Sequence, residues 1–126
     1  MTIQRLIIVT DGIFGMRGDY APLDIISNLS QKYDQDFPEN ILLVVDDSHG
    51  IGAYGKTGRG TEEYTNAKGV DVLVGTLGKA FGVKVGYVTS GQTIITYPSL
   101  YFQNHIGFLQ KLKLKKQLKY SLRSIR

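Results

Sequence analysis

Lys79 is the residue whose setting offers the most chemistry. It lies in Gly75-Thr76-Leu77-Gly78-Lys79-Ala80-Phe81-Gly82, where small neighbours let a large ligand approach. Most lysines are solvated surface residues, but an amine in such a pocket can lose its proton and condense with an aldehyde. Upstream, Val45-Asp46-Asp47-Ser48-His49-Gly50 gathers two carboxylates and an imidazole. An acid paired with the lysine suits pyridoxal phosphate (PLP): the lysine holds the aldehyde and the acid keeps the ring nitrogen protonated. Thr76 and nearby glycines then offer O–H and N–H donors to a phosphate. The spacing permits this arrangement without requiring it.

Three other readings compete for the same residues. Asp46, Asp47 and His49 have the types of metal ligands, but a metal wants a third or fourth ligand nearby and the other histidine, His105, is distant. Acids at a strand end also cap turns, and no metal is expected. Gly50-Ile51-Gly52-Ala53-Tyr54-Gly55 matches a dinucleotide fingerprint, which needs a helix starting inside the loop. Lys56-Thr57-Gly58-Arg59-Gly60 follows and is a poor helix former, so tight turns are the expectation. Gly78-Lys79 lacks the rest of a P-loop, with Leu73 and Ala80 where glycine and a hydroxyl residue are needed.

The elements that must position these residues follow from apolar patterning. Leu6 to Thr10 is a β-branched run closed by Asp11-Gly12, a strand and a turn. Pro22 opens a helix whose apolar residues fall at 22, 25, 26, 29 and 33. Ile41 to Val45 reads as a buried strand, and Val70 to Val74 and Val85 to Thr89 as two more. Alternation of strand and helix predicts an α/β fold with a mostly parallel sheet flanked by helices. Ligands of such sheets bind beyond the carboxyl ends of the strands, where both the Asp46 and Lys79 clusters fall.

Composition sets the outer bounds. The chain has 126 residues, 42% hydrophobic and 21% charged, as expected of one globular domain. With no cysteine it has no disulfide, no thiolate nucleophile and no zinc-thiolate site. No apolar run approaches the ~18–20 residues of a membrane span, and the first residues do not read as a signal peptide. A cytoplasmic protein is the expectation. The net charge of +4 is unevenly spread: residues 1–104 hold 8 basic and all 11 acidic residues, residues 105–126 the other 7 basic ones. The body is mildly acidic, so a nucleic-acid partner is not expected. Phe108, Leu109, Leu112, Leu118, Leu122 and Ile125 could give the basic end an amphipathic helix, but their imperfect period favours a disordered basic tail.

Taken together, four ordered segments resemble the α-oxoamine synthases, PLP enzymes of fold type I. They are Thr10 to Leu23, Val45 to Gly52, Gly58-Arg59-Gly60-Thr61 and Gly75 to Gly82. Such enzymes join an amino acid to an acyl-CoA, in most members with loss of carboxylate. The Thr10-Asp11-Gly12 opening and Asp46-Asp47-Ser48-His49 look most like the glycine C-acetyltransferase branch, which condenses glycine with acetyl-CoA to 2-amino-3-oxobutanoate. The 8-amino-7-oxononanoate synthase branch is the alternative. By resemblance, Lys79 is the Schiff-base and proton-shuttling lysine, Asp46 the partner of the pyridinium nitrogen, His49 the residue on the ring's phenolic oxygen, and Thr76 a phosphate contact. Lys79 and His49 are thus the expected catalytic residues, and Asp46, His49, Thr76 and Lys79 the expected PLP-binding ones.

The resemblance also implies a homodimer with glycine and acyl-CoA as substrates. It covers the middle of the large cofactor domain: residues 1–104 are expected to be part of that domain, and residues 105–126 a basic tail unrelated to the family. Impaired activity as an isolated chain is the corresponding expectation, with a non-catalytic interaction fragment as the other. Three departures stand out. Gly15 replaces a usual serine, Gln35 to Asn40 looks like an insertion, and Val85 falls in a normally glycine-rich stretch.

Overall fold

A computed structural model describes residues 3–91. Its main sheet has four strands in the order β1-β4-β5-β6: β1 (Leu6–Asp11), β4 (Ile41–Asp46), β5 (Val72–Thr76) and β6 (Gly86–Ser90). β1, β4 and β5 run parallel, and β6 returns antiparallel to β5. The mostly parallel α/β sheet expected from the sequence is present. Its strands begin or end within one or two residues of the apolar runs.

The β1–β4 register pairs Leu6 with Ile41 and ends on Asp11 with Asp46. Alternation along β4 turns Ile41, Leu43 and Val45 into the core and leaves Asp46 exposed. Leu43 and Val45 pack with Ala21, Leu23 and Ala67, flanked by Ile8, Phe14, Ile26, Val70 and Leu73. The other face carries Ile7 and Val9, 56% and 69% exposed, on β1, and exposed Val88 on β6 at the opposite edge of the sheet. An apolar face of this kind is what a sheet shows when nothing lies on it.

Helix α1 (Leu23–Tyr33) starts after Pro22, as expected from the ring's fixed φ of −74°. Its buried stripe differs from the apolar one. Leu23, Ser27 and Ser30 face the sheet, while Ile25, Leu29 and Tyr33 are exposed. The serines can be buried because their hydroxyls are occupied: Ser27 donates to the Lys68 carbonyl and Ser30 to that of Ile26. Gln35 to Asn40 starts inside a 3-10 turn, Asp34–Asp36, whose Asp34 carboxylate accepts the Ile41 N–H at 2.8 Å. It therefore fixes where β4 begins.

Two elements escaped the sequence reading. A two-stranded hairpin, β2 (Ile13–Phe14) and β3 (Asp19–Tyr20), follows β1, and the short helix α2 (Thr61–Thr65) follows the glycine-rich loop. Both are too short to show periodicity. Among the described residues no helix is long and apolar enough to cross a membrane. Residues 105–126, with the basic segment, lie outside the described residues.

Candidate active site

The carboxyl ends of β4 and β5 adjoin, with Asp46 opposite Val74 and the Asp47 N–H donating to the Val74 carbonyl at 2.8 Å. Each strand then releases its polar cluster on the same edge of the sheet. From β4 come Asp46, Asp47 and His49; from β5 come Thr76 and Lys79.

The two clusters meet directly. Lys79 Nζ lies 2.7 Å from His49 Nε2. Among the described residues Lys79 belongs to neither of the two ion pairs, so its amine faces an imidazole and no carboxylate. Asp46 is exposed, and its Oδ1 accepts the Ser48 N–H at 3.0 Å, the turn-capping role that acids at strand ends take. Its second oxygen accepts nothing from the described residues. The Thr76 hydroxyl donates to the Val85 carbonyl at 3.2 Å and accepts the Gly78 N–H at 3.0 Å. Val85 is accommodated without a left-handed backbone, its carbonyl also accepting the Leu77 N–H at 2.8 Å. The loop that carries Lys79 is thus closed at its base by Thr76 and Val85.

Asp47 takes a different part, at the start of α2. Its side chain is fully buried; Oδ2 accepts the Thr61 N–H at 2.7 Å and Oδ1 the Thr61 hydroxyl at 2.6 Å. Burial raises its pKa, while the two Thr61 hydrogen bonds oppose that rise. Gly12, just after β1, and Gly50 and Gly60, at the two ends of the glycine-rich loop, pack so closely that a Cβ on any of them would overlap this carboxylate. Asp47 therefore ties the end of β1, the turn of His49 and the start of α2 to one point. Burial foremost, with the Asp47 charge second, also pushes the Tyr87 hydroxyl up to about 12. The signal that could have revealed Asp47 was the coincidence of a strand-end acid with Gly60-Thr61 downstream.

The glycine-rich loop makes tight turns, as expected, with Gly52, Gly55, Gly58 and Gly60 all at positive φ. Helix α2 starts only after it, which removes the dinucleotide reading. Glu63 holds the loop's far side by accepting from the Thr57 N–H at 3.0 Å, the Thr57 hydroxyl at 2.9 Å and the Arg59 N–H at 3.2 Å. Among the described residues no group of three or more His, Cys, Asp or Glu is placed to hold a metal. An amine without a carboxylate partner, an open carboxylate oxygen and a hydroxyl at one strand edge do fit an aldehyde-bearing, phosphorylated pyridine.

Comparisons with known proteins agree with this layout. Residues 2–117 match the model of the family described as aminotransferase class I and II, a span that runs past residue 104. The chain is 44% identical over 95 residues to 8-amino-7-oxononanoate synthase from Fervidobacterium nodosum, covering 75% of this chain and 22% of that protein. Among solved structures it resembles 8-amino-7-oxononanoate synthase from Francisella tularensis at TM-score 0.66 and 29% identity, over 82% of this chain and 29% of the other. It also resembles a variant of serine palmitoyltransferase from S. paucimobilis with a bound PLP–myriocin aldimine, at TM-score 0.63 and 29% identity, over 76% and 23% of the two chains. The chain thus spans about a quarter of the length of the relatives it matches. The relatives named here are α-oxoamine synthases, as the motifs implied, but they are not named glycine C-acetyltransferase. The chain belongs to the aminotransferase class I and II family.

Proposed function

We propose that this chain forms the heart of the cofactor site of a PLP-dependent α-oxoamine synthase, of the 8-amino-7-oxononanoate synthase kind. The observation that carries the reading is the 2.7 Å approach of Lys79 to His49 at the strand edge that also holds Asp46 and Thr76. The finer choice of branch rests on the names of the relatives and replaces the glycine C-acetyltransferase expected from Thr10-Asp11-Gly12. Its substrates are then an amino acid and an acyl-CoA, and its working form is a homodimer, as the family resemblance implies. Residues 1–104 contribute to the cofactor domain, with residues 105–126 as a basic extension.

When bound, PLP supplies an aldehyde for covalent attachment and a ring that accepts electron density from the amino acid's α-carbon. The chain's own residues supply the rest. Lys79 would hold the cofactor's aldehyde through Nζ, and its amine would be the base available for a proton at the amino acid's α-carbon. Asp46 keeps a proton on the ring nitrogen with the oxygen that Ser48 leaves open. Thr76 offers its hydroxyl to the phosphate, giving up the long hydrogen bond to the Val85 carbonyl. His49, on the turn that Asp47 anchors, would offer its imidazole to the ring's phenolic oxygen.

The test is an absorbance spectrum of the protein with PLP, before and after borohydride, followed by peptide mapping. A reduced adduct on Lys79 that is absent from Lys79→Ala supports the proposal. Adducts scattered over other lysines, or equal labelling in Lys79→Ala, would sink it.

A further inference from the structure

His49 and Lys79 carry a chemical consequence of their own. A lysine ammonium has three donors and no acceptor, so a 2.7 Å contact between Nζ and Nε2 joins a proton on one nitrogen to a lone pair on the other. With Lys79 as ammonium, the acceptor is a neutral imidazole whose ring proton sits on Nδ1. No carboxylate competes for the amine among the described residues. The imidazole is therefore placed to take the proton that must leave before the amine can attack.

What lets His49 reach that position is Gly15, on the hairpin turn after β2. A Cβ at Gly15 would fall 2.8 Å from His49 Cε1 and 2.9 Å from Nε2, inside any real contact distance. Gly15 is not among the glycines at positive φ, so its backbone does not require glycine. The imidazole does. With a side chain at 15, the His49 imidazole must shift from its present seat.

We propose that Gly15 and His49 form a proton-accepting seat for Lys79. Gly15 admits the imidazole, and His49 Nε2 takes one proton from the ammonium as Nζ bonds to an aldehyde carbon. The other two protons leave with the aldehyde oxygen as water, so the C=N bond forms at no net cost in atoms or charge. Gly15 is a positioning residue acting through His49. The seat concerns any aldehyde; that the physiological one is PLP rests on the function proposed above.

Reductive labelling with formaldehyde and cyanoborohydride tests the seat without needing a cofactor pocket. Lys56, Lys68 and Lys84 serve as references within the same chain. Lys79 should label about tenfold faster than these, below the ~10²–10⁴ of enclosed acid–base sites because the pair is exposed. His49→Ala, His49→Gln and Gly15→Ala should each bring it down to the reference rate. His49→Gln separates proton acceptance from mere contact, since glutamine keeps an acceptor but not a base. Positions 15, 49 and 79 are exposed, so these variants leave the core alone. Wild-type speed in His49→Gln or Gly15→Ala would overturn the proposal. In a parallel arm with PLP and borohydride, failure to modify Lys79 while formaldehyde keeps the expected order removes the cofactor reading and still supports the seat. Equal PLP labelling in all variants removes the seat and leaves the cofactor reading standing.

Discussion

Asp46 and Asp47 are neighbours in sequence with opposite fates. Asp46 is exposed at the end of β4, and among the described residues its carboxylate accepts one hydrogen bond, from the Ser48 N–H. Asp47, one peptide later, is fully buried and holds both the N–H and hydroxyl of Thr61. Two-residue alternation along an extended chain sends one carboxylate to the ligand edge and the other into the packing beneath it. A strand end can thus deliver a reactive group and the anchor that steadies it from adjacent positions. The region around Asp47 carries the stability; the region around Asp46, His49 and Lys79 is free for chemistry.

Substitutions in the anchor should therefore cost far more stability than substitutions in the site. The largest effect is expected at Gly60, whose φ of 94° and ψ of −161° belong to a region that only glycine enters readily. An alanine there meets backbone strain and overlaps the Asp47 carboxylate at once. Gly60→Ala should lose ~4 kcal/mol, read from urea unfolding; a loss below ~1 kcal/mol would show that the turn after β1 and the two ends of the glycine-rich loop are not tied at Asp47. Asp47→Ala comes next at ~3 kcal/mol, since it strands two buried Thr61 donors and leaves a void.

Asp47→Asn sharpens the contrast by keeping the shape and removing the titration. Burial raises the folded Asp47 above its ordinary 3.8, so the fold binds this proton more tightly than the unfolded chain. Stability from a raised carboxyl is fully present below the unfolded value and is lost as pH rises through the folded one. Wild type should thus lose stability relative to Asp47→Asn as pH climbs from 3.8 upward. Urea midpoints of both proteins across that window provide the check, and a difference that grew in the opposite sense would mean that Thr61, not burial, sets the balance.

The sequence makes the strands legible because their apolar runs are long and β-branched, and its dense, ordered motifs mark out the residues of the candidate site. Asp46, His49, Thr76 and Lys79 all fall on one strand edge, with His49 and Lys79 in contact. In the sequence Asp47 looks like one more polar residue of that cluster, since its partner Thr61 lies 14 positions away and no local pattern links them. α1 was recognised as a helix but turned on its axis, because the serines that line its buried seam look solvent-facing until Lys68 and Ile26 supply their acceptors. Gly15 stands out in the sequence only as a departure; in the fold it lies against the imidazole of a residue 34 positions later.

The smallest effect on stability is expected at Asp46 itself. Asp46→Asn keeps an oxygen for the Ser48 N–H and removes only an exposed charge, so unfolding should shift by less than ~0.5 kcal/mol. Removing that charge also takes a negative neighbour from Asp47, one of the lesser causes of its raised pKa, so any change should be slightly stabilising above neutral pH. The functional consequence runs the other way. Asparagine cannot hold a proton on a ring nitrogen as a carboxylate does, so an adduct on Lys79 should still form in Asp46→Asn but carry a neutral ring. Its absorbance should therefore differ from wild type while borohydride trapping on Lys79 persists. If instead Asp46→Asn lost as much stability as Asp47→Ala, the two carboxylates would share one structural role, and the division of labour at the end of β4 would be wrong.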